Sequence, residues 1–242
     1  MKKYLIFFIM TCTFVWAQEP DFGSFKGNAV IVDMTNDQRT VYGNGADERL
    51  NPCSTFKILH SLIALDTHVI ADENTTLKWD GTIREYPSWN KDHSMRSAIA
   101  VSAVWFYQSI AKRIGEQRMQ PYVEKARYGN ADTSKQLTNF WLGGGSLKIS
   151  PNEQADFLMR LVNNELSFST RALTTVKDII TLHKEGKYVF AGKTGSCNNV
   201  GWFVGFEHNN DKTEVFVFEL QGENADGSKA KKVAYEYYHI KP

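Results

Sequence analysis

Segments typical of β-strands occupy both ends of the chain, and this arrangement constrains the fold more than any other feature. Near the N-terminus, residues 25–34 are rich in β-branched side chains, and residues 39–42 resume an apolar pattern after a polar turn, which predicts a β-hairpin. Near the C-terminus, three apolar and aromatic segments separated by polar, Asn-containing turns predict antiparallel strands at 187–195, 200–207 and 213–221. Strands from both ends can share one sheet if the middle of the chain leaves the sheet and returns.

The middle of the chain shows helical patterns instead. Apolar residues recur at helical spacing and predict helices at 54–65, 96–114, 118–128, 150–162 and 170–183, with a last helix at 230–240. The predicted fold class is therefore α+β. It consists of an antiparallel sheet formed from both chain ends and flanked by helices, with an all-α subdomain inserted at roughly 66–185.

The composition is that of an ordinary globular protein. The chain has 242 residues, of which 42% are hydrophobic, and this is enough for one domain with a full core. Its 28 basic side chains balance 27 acidic ones. The charge therefore gives no reason to expect nucleic acid or an anionic membrane surface as a partner.

The N-terminus has the pattern of a secretory leader. Two lysines precede an apolar run that ends at Trp16, and Ala17 precedes a polar stretch, which predicts a signal peptide at 1–17. The apolar run is shorter than the roughly 20 residues that a membrane-spanning helix needs, so we expect no membrane anchor. The mature chain, 18–242, is expected to be a single domain in the periplasm or outside the cell.

A serine and a lysine lie three residues apart at the start of the first predicted helix. Ser54 and Lys57 would share one helix face, so a nucleophile would have a candidate base beside it. The N-terminal end of a helix also favours negative charge that develops on a reacting carbonyl oxygen. Taken alone, the pattern is more often an ordinary capped helix with a solvated lysine.

Two later motifs could complete a site with this pair. Residues 102–104 read Ser-Ala-Val, in a helical segment or at a break within it, and the Ser102 hydroxyl could relay a proton to a leaving group. Residues 193–195 read Lys-Thr-Gly at the end of a predicted strand. They offer a charge and a hydroxyl to a substrate carboxylate, while Gly195 would let an acyl group lie close to the backbone. Each motif alone has an ordinary explanation, as a buried helix serine or as a turn.

The three motifs, in this order and behind a signal peptide, resemble the set found in penicillin-recognising enzymes. Tyr-Gly-Asn at 128–130, Phe-Trp-Leu at 140–142 and Gly-Trp-Phe-Val-Gly at 201–205 narrow the match. With Ser-Ala-Val as the second motif, the chain closely resembles class D (oxacillinase-type) serine β-lactamases from about residue 25 to residue 221. The resemblance implies a β-lactamase/transpeptidase-like fold and hydrolysis of the β-lactam ring of penicillins through an acyl-serine, which would confer resistance to them.

The resemblance also implies roles for the first motif and its surroundings. Ser54 would be the acylated nucleophile, and Lys57 would carry CO2 as a carbamate (N6-carboxylysine) that acts as the general base. Val104 would keep the site dry, and the indole N–H of Trp141 would donate to the carbamate. Apart from CO2 or bicarbonate, no cofactor is implied.

The remaining motifs would handle the leaving group and the substrate. Ser102, helped by Lys193, would protonate the departing nitrogen, and the backbone N–H groups of Ser54 and Ser196 would form the oxyanion hole. Many class D enzymes hold the substrate carboxylate with an arginine after the last strand, whereas this chain has only lysines there. The carboxylate is therefore expected to contact Lys193, Thr194 and Lys229.

Two cysteines remain once the leader is removed, Cys53 beside the nucleophile and Cys197 two residues after Gly195. In some class A β-lactamases, cysteines at these relative positions form a disulfide. The resemblance thus implies a Cys53–Cys197 bond, with two buried free thiols as the alternative. The six histidines are scattered without Glu or Cys at ligand spacing, so we expect no metal site.

Two other functions remain open. A D,D-peptidase or penicillin-binding protein would share the three motifs, although Val104 and Trp141 argue against it. A β-lactam-sensing domain would acylate without turnover, but such domains are tethered to a membrane segment that the sequence does not show. Neither the substrate spectrum nor the oligomeric state follows from the sequence.

Overall fold

The computed structural model describes residues 19–241, so the predicted signal peptide lies outside the described residues. The strands found there are β1 (Lys26–Asp33), β2 (Gln38–Tyr42), β3 (Thr76–Leu77), β4 (His93–Ser94), β5 (Thr181–Glu185), β6 (Tyr188–Cys197), β7 (Val200–Asn209) and β8 (Lys212–Gln221). The α-helices are α1 (Lys57–Asp66), α2 (Met95–Ala100), α3 (Val104–Ile114), α4 (Glu116–Lys125), α5 (Pro151–Val162), α6 (Thr170–Ile179) and α7 (Gly227–Tyr237). Short 3₁₀ helices lie at Cys53–Phe56 and Pro87–Trp89.

The main sheet is antiparallel and has the strand order β2-β1-β8-β7-β6-β5. Strand β1 pairs with β8 along its whole length, from Lys26 opposite Gln221 to Asp33 opposite Glu214. The predicted sheet built from both chain ends is therefore confirmed. Strands β3 and β4 form a separate two-stranded sheet.

Helices cover both faces of the main sheet. Along β8, Val215 and Val217 face the larger core, while Phe216 and Phe218 alternate with them and pack in the core beneath α7. Helix α5 packs on the first face against β1 and β8, and the 3₁₀ turn Cys53–Phe56 packs against β6 and β7. The start of α1 is thereby held over the central strands.

The helix predicted at 170–183 is too long. Helix α6 ends at Ile179, and Thr181–Glu185 forms the edge strand β5, which pairs with β6. The Ile180 carbonyl accepts a hydrogen bond from the Gly192 N–H at 2.9 Å. Pairing with the sheet edge therefore takes the place of a further helical turn, an effect that local periodicity does not register.

The insertion predicted at 66–185 contains strands as well as helices. Strand β5 closes it, the β3–β4 sheet lies within it, and α5 packs on the main sheet.

Helices in the described residues are all too short or too polar to cross a bilayer.

The helix predicted at 96–114 is interrupted between α2 and α3. Ser102 lies in the interruption and has a left-handed backbone with φ of 56°. A residue other than glycine keeps this conformation only where the surrounding structure holds it. Because both helices bury the same core, the apolar pattern runs across the break without marking it.

Candidate active site

Ser54 is the second residue of the 3₁₀ turn Cys53–Phe56, which leads directly into α1. Its neighbour Thr55 is fully buried and donates a hydrogen bond from Oγ1 to the Pro52 carbonyl at 2.7 Å. The side-chain amide of Gln154, on α5, donates to the same Thr55 hydroxyl at 2.7 Å. Helix α5, which packs on the main sheet, therefore holds in place the turn that carries the nucleophile.

Lys57 is the first residue of α1 and is completely buried. Its Nζ lies 2.6 Å from Ser54 Oγ and 5.4 Å from the centre of the Tyr107 ring. Burial, and then the positive charge of Lys193, hold the pKa of the Lys57 amine well below its usual value of 10.5. This shift favours the neutral amine, which can accept the Ser54 proton.

Four aromatic side chains form a chamber around Lys57, and we call these four, Phe56, His60, Tyr107 and Trp141, the aromatic chamber. Trp141 stacks on Phe56 with ring centres 5.7 Å apart, and His60 packs against Trp141 and Tyr107 at 5.2 and 5.3 Å. All four are fully buried. Within the described residues, Trp141 Nε1 and both ring nitrogens of His60 have no hydrogen-bond partner. Such orphaned groups are rare, so the chamber is suited to a small polar group that would bond to them.

The second and third motifs meet at a hydrogen bond between Lys193 and Ser102. Lys193 Nζ donates to Ser102 Oγ, and also to the carbonyl and hydroxyl oxygens of Thr194, at 2.9 and 3.3 Å. Burial lowers the pKa of Lys193 to about 7, and the charge of Lys231 contributes to the shift. Near neutral pH, Lys193 can therefore both supply and take back a proton at Ser102.

Gly195 allows β6 to pack closely against the nucleophile turn. A Cβ atom at this position would lie 2.9 Å from the Pro52 carbonyl oxygen and 3.0 Å from Thr55 Cγ2. The sequence predicted that this glycine makes room for an acyl group. In the structure, the absence of a side chain at Gly195 lets β6 contact the turn Cys53–Phe56.

A disulfide joins Cys53 to Cys197, as the family resemblance implied, with the two Cα atoms 5.8 Å apart. It links the turn that carries Ser54 to the end of β6. Cys53 also has a left-handed backbone, with φ of 51°, and its N–H donates to the Trp141 carbonyl at 3.0 Å. The same two elements that touch at Gly195 are therefore also bonded covalently.

Ser54, Ser102, Thr194 and Ser196 open onto one cleft of about 490 Å³. The other walls of the cleft include Tyr86, Trp89, Val101, Val104, Leu142 and Lys231.

Sequence reasoning missed the aromatic wall of the cleft, which Tyr86 and Trp89 form. The two rings contact each other, with centres 4.8 Å apart, and they also line the cleft. Only the folding of the loop brings these rings near Ser54. No spacing in the sequence connects them to it.

The lysine predicted to hold the substrate carboxylate, Lys229, lies apart from the cleft. Its Nζ donates to the Asn224 carbonyl and pairs with the Asp226 carboxylate at 3.3 Å. Lys231 lines the cleft instead. Because α7 begins at Gly227, earlier than predicted, Ser228 and Lys231 share the helix face toward the cleft.

The part of the chain that the structure describes contains no cluster of side chains suited to a metal ion. No three side chains of His, Cys, Asp or Glu come together there in a group that could hold an ion.

The chain matches the family described as Penicillin binding protein transpeptidase domain over residues 18–239. It is 42% identical to Beta-lactamase OXA-20 of Pseudomonas aeruginosa over 184 residues, which are 75% of this chain and 69% of that protein. The family match spans the segments that carry the three motifs.

Two solved structures show how far the similarity extends. The class D β-lactamase from Bacillus subtilis superposes with a TM-score of 0.86 at 37% identity, covering 89% of this chain and 91% of that one. The C-terminal domain of the Bacillus licheniformis BlaR penicillin receptor gives a TM-score of 0.84 at 34% identity, covering 90% and 92%. The fold is thus shared by an enzyme and by a receptor.

Proposed function

Because the chain belongs to the penicillin-binding transpeptidase family and, within it, to the class D β-lactamases, we propose that it hydrolyses penicillin-type β-lactams through an acyl-Ser54 intermediate. One observation carries the proposal. Ser54 Oγ lies 2.6 Å from the neutral amine of the buried Lys57, at a cleft that also exposes Ser102 and Thr194. A nucleophile, its base and a proton donor therefore face one substrate-sized space.

In the first half-reaction, Ser54 Oγ attacks the β-lactam carbonyl carbon while its proton moves toward the Lys57 side chain. The backbone N–H groups of Ser54 and Ser196 stabilise the developing oxyanion. The C–N bond of the ring then breaks and its electron pair remains on nitrogen. The Ser102 hydroxyl gives that nitrogen a proton, and Lys193 replaces it through their hydrogen bond.

Before the second half-reaction, the base at Lys57 passes the Ser54 proton through solvent to Lys193. Water then attacks the acyl carbon and gives its proton to that base. The bond to Ser54 Oγ breaks, the serine is protonated again, and the opened acid leaves. Val104 and Leu142 in the wall, with Trp141 behind them, keep other water away from the base.

Lys57 suits the carbamate that the family resemblance implies. As a neutral amine, its nitrogen can attack the carbon of CO2, form an N–C bond and lose one proton to solvent. Trp141 Nε1, which has no partner among the described residues, would then donate a hydrogen bond to the new carboxylate. The carbamate would supply the general base for both half-reactions.

The substrate carboxylate binds beside β6. Thr194 and Lys231 both line the cleft there, and Lys193 lies next to them under the surface. Lys231 takes the role that the sequence suggested for Lys229. Because a lysine offers a point charge and no bidentate fork, this contact depends on the hydroxyl of Thr194 as well.

The leader at 1–17 would export the protein to the periplasm or the medium, where hydrolysis of penicillins confers resistance. The Cys53–Cys197 disulfide supports this location, since such bonds persist in oxidising compartments. Beyond the small β-lactam substrate and CO2, the function needs no partner, nucleic acid or metal.

The test is the turnover of a chromogenic penicillin by the mature protein, with and without added bicarbonate. We expect many turnovers per protein, faster rates with bicarbonate, and loss of turnover in Ser54→Ala. Ser109→Ala, which changes a serine of α3 outside the cleft lining, is the matched control and should keep its activity.

A β-lactam-sensing domain is the second candidate, because the BlaR receptor domain has the same fold at 34% identity. A sensor would acylate Ser54 once and retain the acyl group, and a penicillin-binding protein would do the same. Mass spectrometry showing one stable acyl group per chain, with no turnover, would replace the hydrolase proposal by one of these.

A further inference from the structure

His60 is a buried titratable residue that the proposed reaction leaves unused. It lies one helical turn after Lys57 on α1, so the two side chains share a helix face. Its exposed fraction is 0%, and neither Nδ1 nor Nε2 has a partner among the described residues. A polar ring buried in this way costs free energy unless something else bonds to it.

The position of His60 indicates which chemical group could form a hydrogen bond with its ring. The ring packs against Tyr107, at 5.3 Å, and Lys57 Nζ lies 5.4 Å from the centre of the same Tyr107 ring. On its other side, His60 packs against Trp141, at 5.2 Å, whose indole nitrogen is also orphaned. Three nitrogens that have no partner among the described residues therefore belong to rings that contact one another, in a chamber whose Tyr107 ring also contacts Lys57.

We propose that His60 is a positioning residue that donates a hydrogen bond to the carboxylated side chain of Lys57, together with Trp141. The inference rests on the proposed carbamate. A carboxylate has two oxygens and can accept both bonds. The imidazole supplies one N–H, and its bond restricts the orientation of the modified side chain below Ser54.

The protonation state of His60 agrees with this role. Burial, and then the charge of Lys57, lower its pKa to about 3. No carboxylate of the described residues pairs with the ring, and the side chains packed on it are Phe56, Tyr107 and Trp141. Before CO2 binds, the ring is therefore neutral and keeps a single N–H to donate; the negative charge of the carbamate would act in the opposite direction on its pKa and strengthen the donated bond.

The test measures carbamate formation directly. The mature protein is equilibrated with ¹³C-bicarbonate, and the ¹³C signal of the lysine carbamate is followed by NMR as bicarbonate is raised. His60→Leu should weaken the apparent bicarbonate affinity by about tenfold or more, as expected for a lost hydrogen bond to a charged group. His60→Asn, which keeps a donor, should restore most of it.

Two control measurements separate the loss of a hydrogen bond from a change in packing. Leu59→Ala removes a fully buried apolar side chain from the same helix and should leave the bicarbonate affinity near that of the wild type. In bicarbonate-free buffer, His60→Leu should melt at the same temperature as the wild type or higher, because it removes two unpaired polar atoms.

Three results would overturn the inference. Equal bicarbonate affinity in the wild type and His60→Leu would remove His60 from the role while leaving the proposed function intact. An equal loss in Leu59→Ala would make the effect one of packing. Absence of any carbamate signal in the wild type would refute both the inference and the carbamate of the proposed function, whereas acylation of Ser54 is tested separately by mass.

Discussion

At the scale of single residues, the site is organised by three lysines that influence one another. The charge of Lys231 lowers the pKa of Lys193, and the charge of Lys193 lowers that of Lys57, with burial as the larger cause each time. None of these ammonium groups forms an ion pair among the described residues. The arrangement keeps the innermost amine neutral and leaves the outermost charge free for an anionic substrate.

The first prediction concerns the outermost lysine. Lys231→Gln should raise the pKa of Lys193 above about 7, because a neighbouring positive charge is lost, while burial still keeps it below 10.5. The alkaline limb of the kcat/KM profile should move to higher pH, and KM for penicillins should rise about tenfold as the carboxylate contact disappears.

The control for this prediction is Lys229→Gln. Lys229 does not line the cleft, although its partner Asp226 does, so its loss should leave the pH profile unchanged and alter KM far less than Lys231→Gln. Equal effects of the two substitutions would contradict the assignment of the carboxylate site to Lys231.

At the scale of elements, catalysis depends on the contact between β6 and the turn Cys53–Phe56. Two features hold them together: the close approach at Gly195 and the disulfide from Cys53 to Cys197. The turn contributes Ser54, and the strand contributes the lysine, the threonine and an oxyanion N–H. A small shift between the elements would separate the nucleophile from these groups.

Gly195→Ala should therefore impair catalysis more than stability. The new Cβ would meet the Pro52 carbonyl oxygen at 2.9 Å and push strand and turn apart. A misplacement of about 1 Å can cost on the order of 100-fold in rate, and we expect kcat to fall by that order. Steady-state kinetics beside thermal melting measure both effects.

Gly192→Ala is the comparison in the same strand. Its Cβ would meet the buried Phe203 ring at 2.6 Å, away from the nucleophile turn. We expect this variant to melt at a lower temperature with a much smaller loss of kcat. If both variants lose kcat equally, the contact at Gly195 has no special role.

Cys197→Ser should lower the free energy of unfolding. The bond links residues 144 apart in sequence, and the chain-entropy estimate for so long a loop is about 5 kcal/mol, the upper end of the roughly 2–5 kcal/mol that loss of a native disulfide costs. Urea unfolding of the variant should match that of the reduced wild type. Unchanged stability on reduction, or two free thiols in the unreduced protein, would contradict the bond.

At the scale of the whole molecule, the sheet that joins both chain ends contains a buried carboxyl group. Glu219, on β8, lies opposite Asn28 of β1 and Trp202 of β7. Asn28 Nδ2 donates to its Oε2 at 2.6 Å, and Asn28 Oδ1 accepts from Gly45 N at 2.7 Å. Glu219 Oε1 has no partner in the described part of the chain. Burial raises the pKa of Glu219 from 4.5 to about 7.

The fourth prediction is a loss of stability as pH rises. Between about 4.5 and 7, the folded protein keeps the Glu219 proton while the unfolded chain loses it, so the free energy of unfolding falls with pH. Glu219→Gln should preserve the contact with Asn28 and stabilise the protein at pH 8 by at most about 3 kcal/mol. At pH 5, the Glu219→Gln substitution should change the free energy of unfolding little.

Urea unfolding at pH 5 and pH 8 measures the difference between the two proteins. Asp156→Asn, which removes an exposed carboxylate paired with Arg39 but keeps Glu219, is the control and should lose stability between pH 5 and pH 8 as the wild type does. Parallel behaviour of wild type and Glu219→Gln at both pH values would exclude Glu219 as the source.

Local patterns predicted much of the fold and the motifs of the site. Segments rich in β-branched and apolar residues revealed the terminal strands, and the helix predicted at 150–162 was confirmed as α5, which begins with a capping box between Ser150 and Glu153. Helix boundaries were wrong where tertiary contacts dominate, above all in the extension of α6 into β5, while the break that holds Ser102 was one of two alternatives that the sequence left open. In both, hydrogen bonds or packing to distant segments outweigh local preference.

The sequence by itself identified the groups that are proposed to carry the chemistry: Ser54 with Lys57, then Ser102, then Lys193 with Thr194. These identities follow from residue type and order, which no folding can change. Only the tertiary structure decided that Lys231 faces the cleft, that Tyr86 and Trp89 wall it, and that His60 lies unpaired beside Lys57. Burial and facing direction depend on segments that are far apart in the chain, and so does the pKa of every group that burial shifts.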